Sequence, residues 1–188
     1  MGFLKPHNPS EYPSILLYIL DETHITVTFT TALAILWTRD AHVVWFAIGA
    51  LNSSLSAKVL KNLIRSPRPP PPPPTTSKPY TLRPKRTYGM PSTHSTALTF
   101  YFSYLLPLIV VPNGLPYPFF LGPLVTSYWI GGLWSRKELG YHTWEQIVGG
   151  AAYGTLLAGV WRGVWEHWPV IGKGLQGLID VTWRTVFG

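Results

Sequence analysis

The chain has 188 residues, of which 46% are hydrophobic and only 12% charged, and it carries a net charge of +7 with no cysteine. A soluble domain holds about 25% charged residues, so these charges are too few to cover a soluble globule, and disulfide and thiolate chemistry are excluded. From Ser95 to Trp134 there is no Asp, Glu, Lys, Arg or His, room for two spans of ~20 residues each. Nine Trp and ten Tyr suit membrane–water interfaces. Beside such spans, the basic excess points to anionic headgroups or phosphate and away from nucleic acid.

Residues 1–12 read as a polar tail that does not resemble a cleaved signal peptide. Tyr12 to Leu20 is a short apolar, interfacial stretch, and Asp21-Glu22-Thr23 reads as a helix start, with acids at the positive end of the dipole. Thr23 to Trp37 is the first predicted span, and Arg39-Asp40 a tight polar turn. A second helix runs from His42 to about Ile64 and stops before Ser66-Pro67, because a residue preceding proline avoids the α region. Six prolines at 69–74 predict a polyproline strut of roughly 19 Å, followed by a basic loop to Tyr88. His94 to Val111 is the third helix, with Pro107 inside it. Pro112-Asn113-Gly114 is a turn, Leu115 to Trp134 the fourth span, and Ser135 to Tyr141 a short charged loop. The fifth span, about Thr143 to Trp161, carries Gly150, Gly154 and Ala158 at four-residue spacing, a face for close helix packing. Residues 169–188 read as an amphipathic interfacial helix or a partial sixth span. The expected fold is all-α: a polytopic membrane bundle of about five spans over 13–168.

Helix counting alone brings three distant clusters to one membrane face: Lys61 to Pro69, Pro91 to His94, and Ser135 to His142. They offer the cations Lys61, Arg68 and Arg136, the hydroxyls of Ser92 and Thr93 at a helix N-terminus, and the imidazoles of His94 and His142. Helix N-termini favour anions, arginine matches phosphate oxygens, and histidine titrates near neutrality. This is the inventory of phosphoryl transfer: charge neutralisation, a nucleophile, and an acid for the leaving oxygen. Taken singly, Lys61 reads as a snorkelling lysine and either histidine as a helix-end residue; the joint spacing is what favours a site. Lys58 and Arg65 read as headgroup contacts, and His7, His24, His42 and His167 carry no signal.

Lys61-Asn-Leu-Ile-Arg-Ser-Pro-Arg68-Pro69, Pro91-Ser92-Thr93-His94, and Ser135-Arg136 followed by His142 resemble, in order, the three motifs of the phosphatidic acid phosphatase type 2 / haloperoxidase superfamily. The resemblance implies a PAP2-like helical core and metal-independent hydrolysis without a cofactor. His142 would attack phosphorus to form a phosphohistidine, and His94 would protonate the leaving oxygen. Lys61, Arg68, Ser92, Thr93 and Arg136 would hold the phosphoryl oxygens. Two positions depart from the pattern: Thr93 stands where glycine is usual, and Gln146 where an aspartate follows the nucleophile. Gln146 at i+4 can accept the same hydrogen bond without a charge, and Glu145 at i+3 is the other candidate orienter; the spacing favours Gln146. His142-Thr-Trp-Glu-Gln146 and Tyr88-Gly-Met-Pro-Ser92 resemble the superfamily's dolichyldiphosphatase branch. That implies dolichyl or polyprenyl diphosphate as substrate, in the membrane of the endoplasmic reticulum, with the site facing the lumen. The positive-inside rule points the other way, since most Lys and Arg lie on the catalytic side; the expectation follows the resemblance. The alternatives are a broad lipid phosphate phosphatase, acting on phosphatidate or a sphingoid-base phosphate, and a non-catalytic membrane protein that binds anionic lipid or a Pro-recognising partner.

Overall fold

The computed structural model describes residues 9, 12–70, 87–111 and 118–187. Most of the tail 1–12, the proline run beyond Pro70 with its loop to 86, and the turn at 112–114 lie outside these residues. The described residues form seven helices and no strand: α1 Ile15–Asp21, α2 Thr23–Thr38, α3 Ala41–Ile64, α4 Thr93–Val110, α5 Pro118–Glu138, α6 Trp144–His167 and α7 Pro169–Phe187.

Local chemistry sets most of the ends. Ser14 caps α1 by accepting from Leu17 N at 3.2 Å. Asp40 Oδ1 caps α3 by accepting from His42 N at 2.6 Å and Val43 N at 3.4 Å. Arg39 and Arg65 adopt left-handed backbone, φ 52° and 53°, and their N–H groups close the last turns of α2 and α3. Three boundaries differ from expectation, one of them the end of α6, which runs to His167, six residues past Trp161. Asp21-Glu22-Thr23 is an elbow, not a simple start: α1 and α2 are bent by 58° there, and Glu22 makes no side-chain cap. Further along, α5 continues to Glu138, so Ser135 and Arg136 sit on its last turns and not in a loop.

The small-residue face on α6 packs against α4. A Cβ on Gly150 would lie 2.7 Å from Ser92 O, and one on Gly154 would lie 2.4 Å from Thr96 O. The obstacle is backbone, which cannot swing aside. Gly154→Ala is therefore expected to destabilise the fold by about 2 kcal/mol. Gly159→Ala, on the same helix with nothing within 4 Å, should be neutral or slightly stabilising; thermal unfolding of both variants checks the contrast. At the far end, Trp45 and Trp161 stack at 4.5 Å and each donates its indole N–H to the other's carbonyl, joining α3 to α6.

The interior mixes Phe100, Leu139 and Ile147 with the polar side chains Ser53, Lys61, Ser95, Thr96, Ser135 and Arg136, while Phe29, Trp37, Leu55, Phe119, Val148 and Leu156 face outward. Large contiguous apolar surface of this kind marks an apolar environment. α3, of 24 residues, is long and apolar enough to cross a membrane by itself, and α1 with α2 passes only as a bent pair. The other helices expected to span carry Ser, Thr, Gly, Pro and Tyr among their apolar residues, which lowers their mean hydropathy. α7 docks on the α2–α3 turn: Gln176 accepts from Ala41 N and donates to Arg39 O, and Arg39 lies 3.8 Å over the Trp183 ring. Its Leu178 and Val186 are exposed, Leu175 and Ile179 half-buried.

Candidate active site

His142 lies between α5 and α6 and is 5% exposed. Thr143 and Gln146 form a capping box at the start of α6, which brings the Gln146 side chain back to the loop. Gln146 Oε1 accepts from Thr143 N at 3.3 Å and from His142 Nδ1 at 3.2 Å. Its Nε2 donates to Pro67 O at 2.7 Å and Ser66 Oγ at 3.1 Å. Because Pro67 O can only accept, the amide cannot be flipped, and His142 must carry its proton on Nδ1. The lone pair is therefore on Nε2. Gly89 lets this amide fit, since a Cβ there would meet it at 2.3 Å. Glu145, the other candidate orienter, is exposed on the first turn of α6 and bonds Thr143; the helix directs it away from the imidazole.

Arg68 faces the Nε2 lone pair, with Nη1 at 3.1 Å. It is held by Tyr141 O at 2.7 Å, Thr87 O at 2.8 Å and Thr87 Oγ1 at 3.0 Å. Burial first, then the cations Arg68 and Lys61, push the His142 imidazole down to about 2 from its usual 6.5. Between those values the unfolded chain binds the proton that the folded chain refuses, so stability rises with pH. The substrate-free protein is expected to lose about 2 kcal/mol between pH 7 and pH 5 through this group. Thermal unfolding across that range checks it, and His142→Gln should flatten the slope.

The other predicted residues arrive from three helices. Lys61, 7% exposed near the end of α3, borders the same cavity as His142, His94, Arg68, Thr93 and Arg136. His94, on the first turn of α4, contacts Thr23 Oγ1 through either ring nitrogen, at 3.3 Å from Nδ1 and 3.2 Å from Nε2. Thr93 sits beside it at the N-terminus, where first-turn amides have no intrahelical acceptor. Ser92 is not brought to the cavity. It is fully buried, its hydroxyl takes up Ser95 N and Ser95 Oγ, and its N–H bonds Gln146 O. Arg136 is 2% exposed and its guanidinium pairs with Asp21, 115 residues away. Lys58, read as a headgroup contact, also borders the cavity.

The cavity measures ≈ 1940 Å³. The two histidines and the cations stand at one end. Val27, Ile35, Ala47, Leu51, Leu98 and Tyr101 extend it as an apolar channel between α2, α3 and α4. The arrangement can neutralise an anion, present a nucleophilic imidazole, and accommodate an apolar tail. Sequence reasoning missed Asp21, Tyr12, Tyr141, Thr23 and Thr87. None is a defining motif position, although Tyr141 lies within the third segment, and the one available signal was that Asp21-Glu22 interrupts an otherwise apolar run.

The family profile described as the PAP2 superfamily matches residues 42–169. The chain is 31% identical over 148 residues to Dolichyldiphosphatase 1 of Dictyostelium discoideum, covering 76% of this chain and 61% of that protein. It is 31% identical over 170 residues to Dolichyldiphosphatase 1 of Homo sapiens, covering 80% and 66%. It thus spans a little under two thirds of the length of these curated relatives. The Dolichyldiphosphatase of Saccharomyces cerevisiae is 30% identical over 173 residues, with 82% and 70% covered. Among solved structures, a transmembrane PAP2-type phosphatidylglycerolphosphate phosphatase from Bacillus subtilis shares the fold, with a TM-score of 0.60 at 18% identity over 81% of this chain and 74% of that one. With three motif segments gathered around one cavity and more than half its length matched, this chain belongs to the PAP2 superfamily.

Proposed function

We propose that the protein is an integral membrane lipid diphosphatase that hydrolyses dolichyl diphosphate, or a close polyprenyl diphosphate, to the monophosphate. The observation that carries this reading is the placement of His142 and His94 on one cavity with Lys61 and Arg68. His142 Nε2 attacks the terminal phosphorus, Arg68 moving from the lone pair to a phosphoryl oxygen as it does so. The bond from phosphorus to the bridging oxygen breaks, and the departing lipid monophosphate takes a proton from His94. Water then attacks the phosphohistidine and gives its proton to His94, inorganic phosphate leaves, and His142 returns to its starting form. Gln146 keeps Nδ1 protonated throughout, and Lys61, Arg68, Arg136 and Thr93 stabilise the charge developing on the equatorial oxygens.

Two observations support a lipid substrate of this class. The channel beside the site is apolar and opens between helices whose outer faces are apolar, and the first curated relatives are dolichyldiphosphatases. By the same relation the protein resides in the endoplasmic reticulum membrane with its site toward the lumen. A second reading is favoured by one relative: a chloroplastic lipid phosphate phosphatase of Arabidopsis thaliana is 33% identical over 139 residues. Purified protein assayed on polyprenyl diphosphate and on phosphatidate separates the two. Preference for the diphosphate is expected, and preference for phosphatidate would transfer the assignment.

A further inference from the structure

Arg136 does not present a free fork to the cavity. Its Nη1 donates to Asp21, its Nη2 to Leu20 O at 3.3 Å and Ser135 Oγ at 3.1 Å, and its Nε to Ser135 Oγ at 3.2 Å. Four of its five N–H groups are thus engaged by the protein. Asp21 is itself held: Tyr12 OH donates to Oδ2, and Tyr141 OH lies 3.5 Å from the same oxygen. Burial and the neighbouring carboxylate push both phenols up, so they remain donors. Two residues further on, Thr23, 2% exposed, meets His94. One elbow therefore touches both a cation and an imidazole of the site.

We propose that the α1–α2 elbow is a fourth segment of the active site, in which Asp21 positions Arg136 and Thr23 positions His94. The elbow lies outside residues 42–169, which the family profile matches. The chemistry is specific. An arginine anchored along one edge by a carboxylate keeps a fixed orientation toward the cavity. A buried guanidinium deprived of that carboxylate must move or recruit another anion. Both residues also border the cavity; the role assigned to each here acts through its partner, Arg136 or His94. The inference rests on the phosphatase reading above.

The test uses the full chain in detergent, with farnesyl diphosphate as substrate and orthovanadate as an anion probe followed by tryptophan fluorescence. Asp21→Asn keeps the shape and removes the charge. It is expected to lower kcat on the order of ten-fold, shift KM less than about three-fold, and weaken vanadate binding. In an Arg136→Gln background the same change should alter kcat less than about two-fold, since the partner is already gone. A folded Asp21→Asn protein with kcat and vanadate affinity unchanged overturns the proposal, as does an equal loss in the Arg136→Gln background. If Asp21→Asn does not fold, Thr23→Val decides. It should lower turnover of farnesyl diphosphate about three-fold more than turnover of p-nitrophenyl phosphate, whose good leaving group needs less protonation from His94. Equal losses on the two substrates contradict the proposal. If the wild type hydrolyses neither compound while Asp21→Asn still weakens vanadate binding, the elbow stands and the phosphatase reading falls.

Discussion

His142→Ala is expected to reduce hydrolysis of polyprenyl diphosphate by about four orders of magnitude or more. The site contains one imidazole whose lone pair is directed by its neighbours: Gln146 Oε1 accepts a hydrogen bond from Nδ1–H and Arg68 marks the Nε2 position. His94 cannot substitute, because it rises from a different helix and leans on Thr23. The loss should not be a folding effect. Gln146 keeps Thr143 N, Pro67 O and Ser66 Oγ as partners without the imidazole, so the loop geometry survives truncation. Steady-state kinetics on protein that elutes as the wild type does checks both statements.

The second large effect belongs to Gln146. Gln146→Leu removes the acceptor that fixes the His142 tautomer and should lower kcat by about two to three orders of magnitude. Gln146→Glu is the sharper variant, because it is nearly isosteric and supplies the negative charge that the superfamily's usual aspartate would carry. Here it should still cost on the order of a hundred-fold. The amide Nε2 donates to Pro67 O at 2.7 Å, and a carboxylate would set an acceptor against that carbonyl in a 3% exposed position. The glutamine side chain thus joins two of the three motif segments, its oxygen serving His142 and its nitrogen holding the turn that presents Arg68, and its backbone carbonyl takes up Ser92 N in the other. Parallel measurement of kcat and thermal unfolding for both variants tests this dual role.

The helix ends at Asp40, Ser66-Pro67, Ser92 and Thr143 were legible because capping and the steric effect of proline are local, acting among neighbours in sequence. The packing face of Gly150 and Gly154 was legible because its spacing repeats. The convergence of the three motif clusters was legible from helix counting, and the structure places His94 and His142 on one cavity. The reach of α5 was not legible. Ser135-Arg136-Lys137 reads as a loop because buried arginine is rare, and what makes it tolerable is a carboxylate 115 residues away. Asp21 was misjudged for the same reason: its sequence neighbours suggest a helix cap, and its actual partners, Arg136, Tyr12 and Tyr141, are set only by the tertiary fold. Ser92 stands in a motif position, and its hydroxyl caps α4 while its N–H bonds Gln146 O. Gln146 is preferred over Glu145 because it stands at the position of the superfamily's aspartate, and the two differ in exposure, Gln146 buried and Glu145 exposed.

The central claim is that His142 carries the phosphoryl group. Polyprenyl diphosphate labelled at its terminal phosphorus, mixed with excess enzyme and stopped in alkali within one turnover, should leave label on the protein. Peptide mapping should then find it on His142, and His142→Ala should carry none. Label on a different residue, or a complete burst of inorganic phosphate with no labelled protein at any time, would contradict the account.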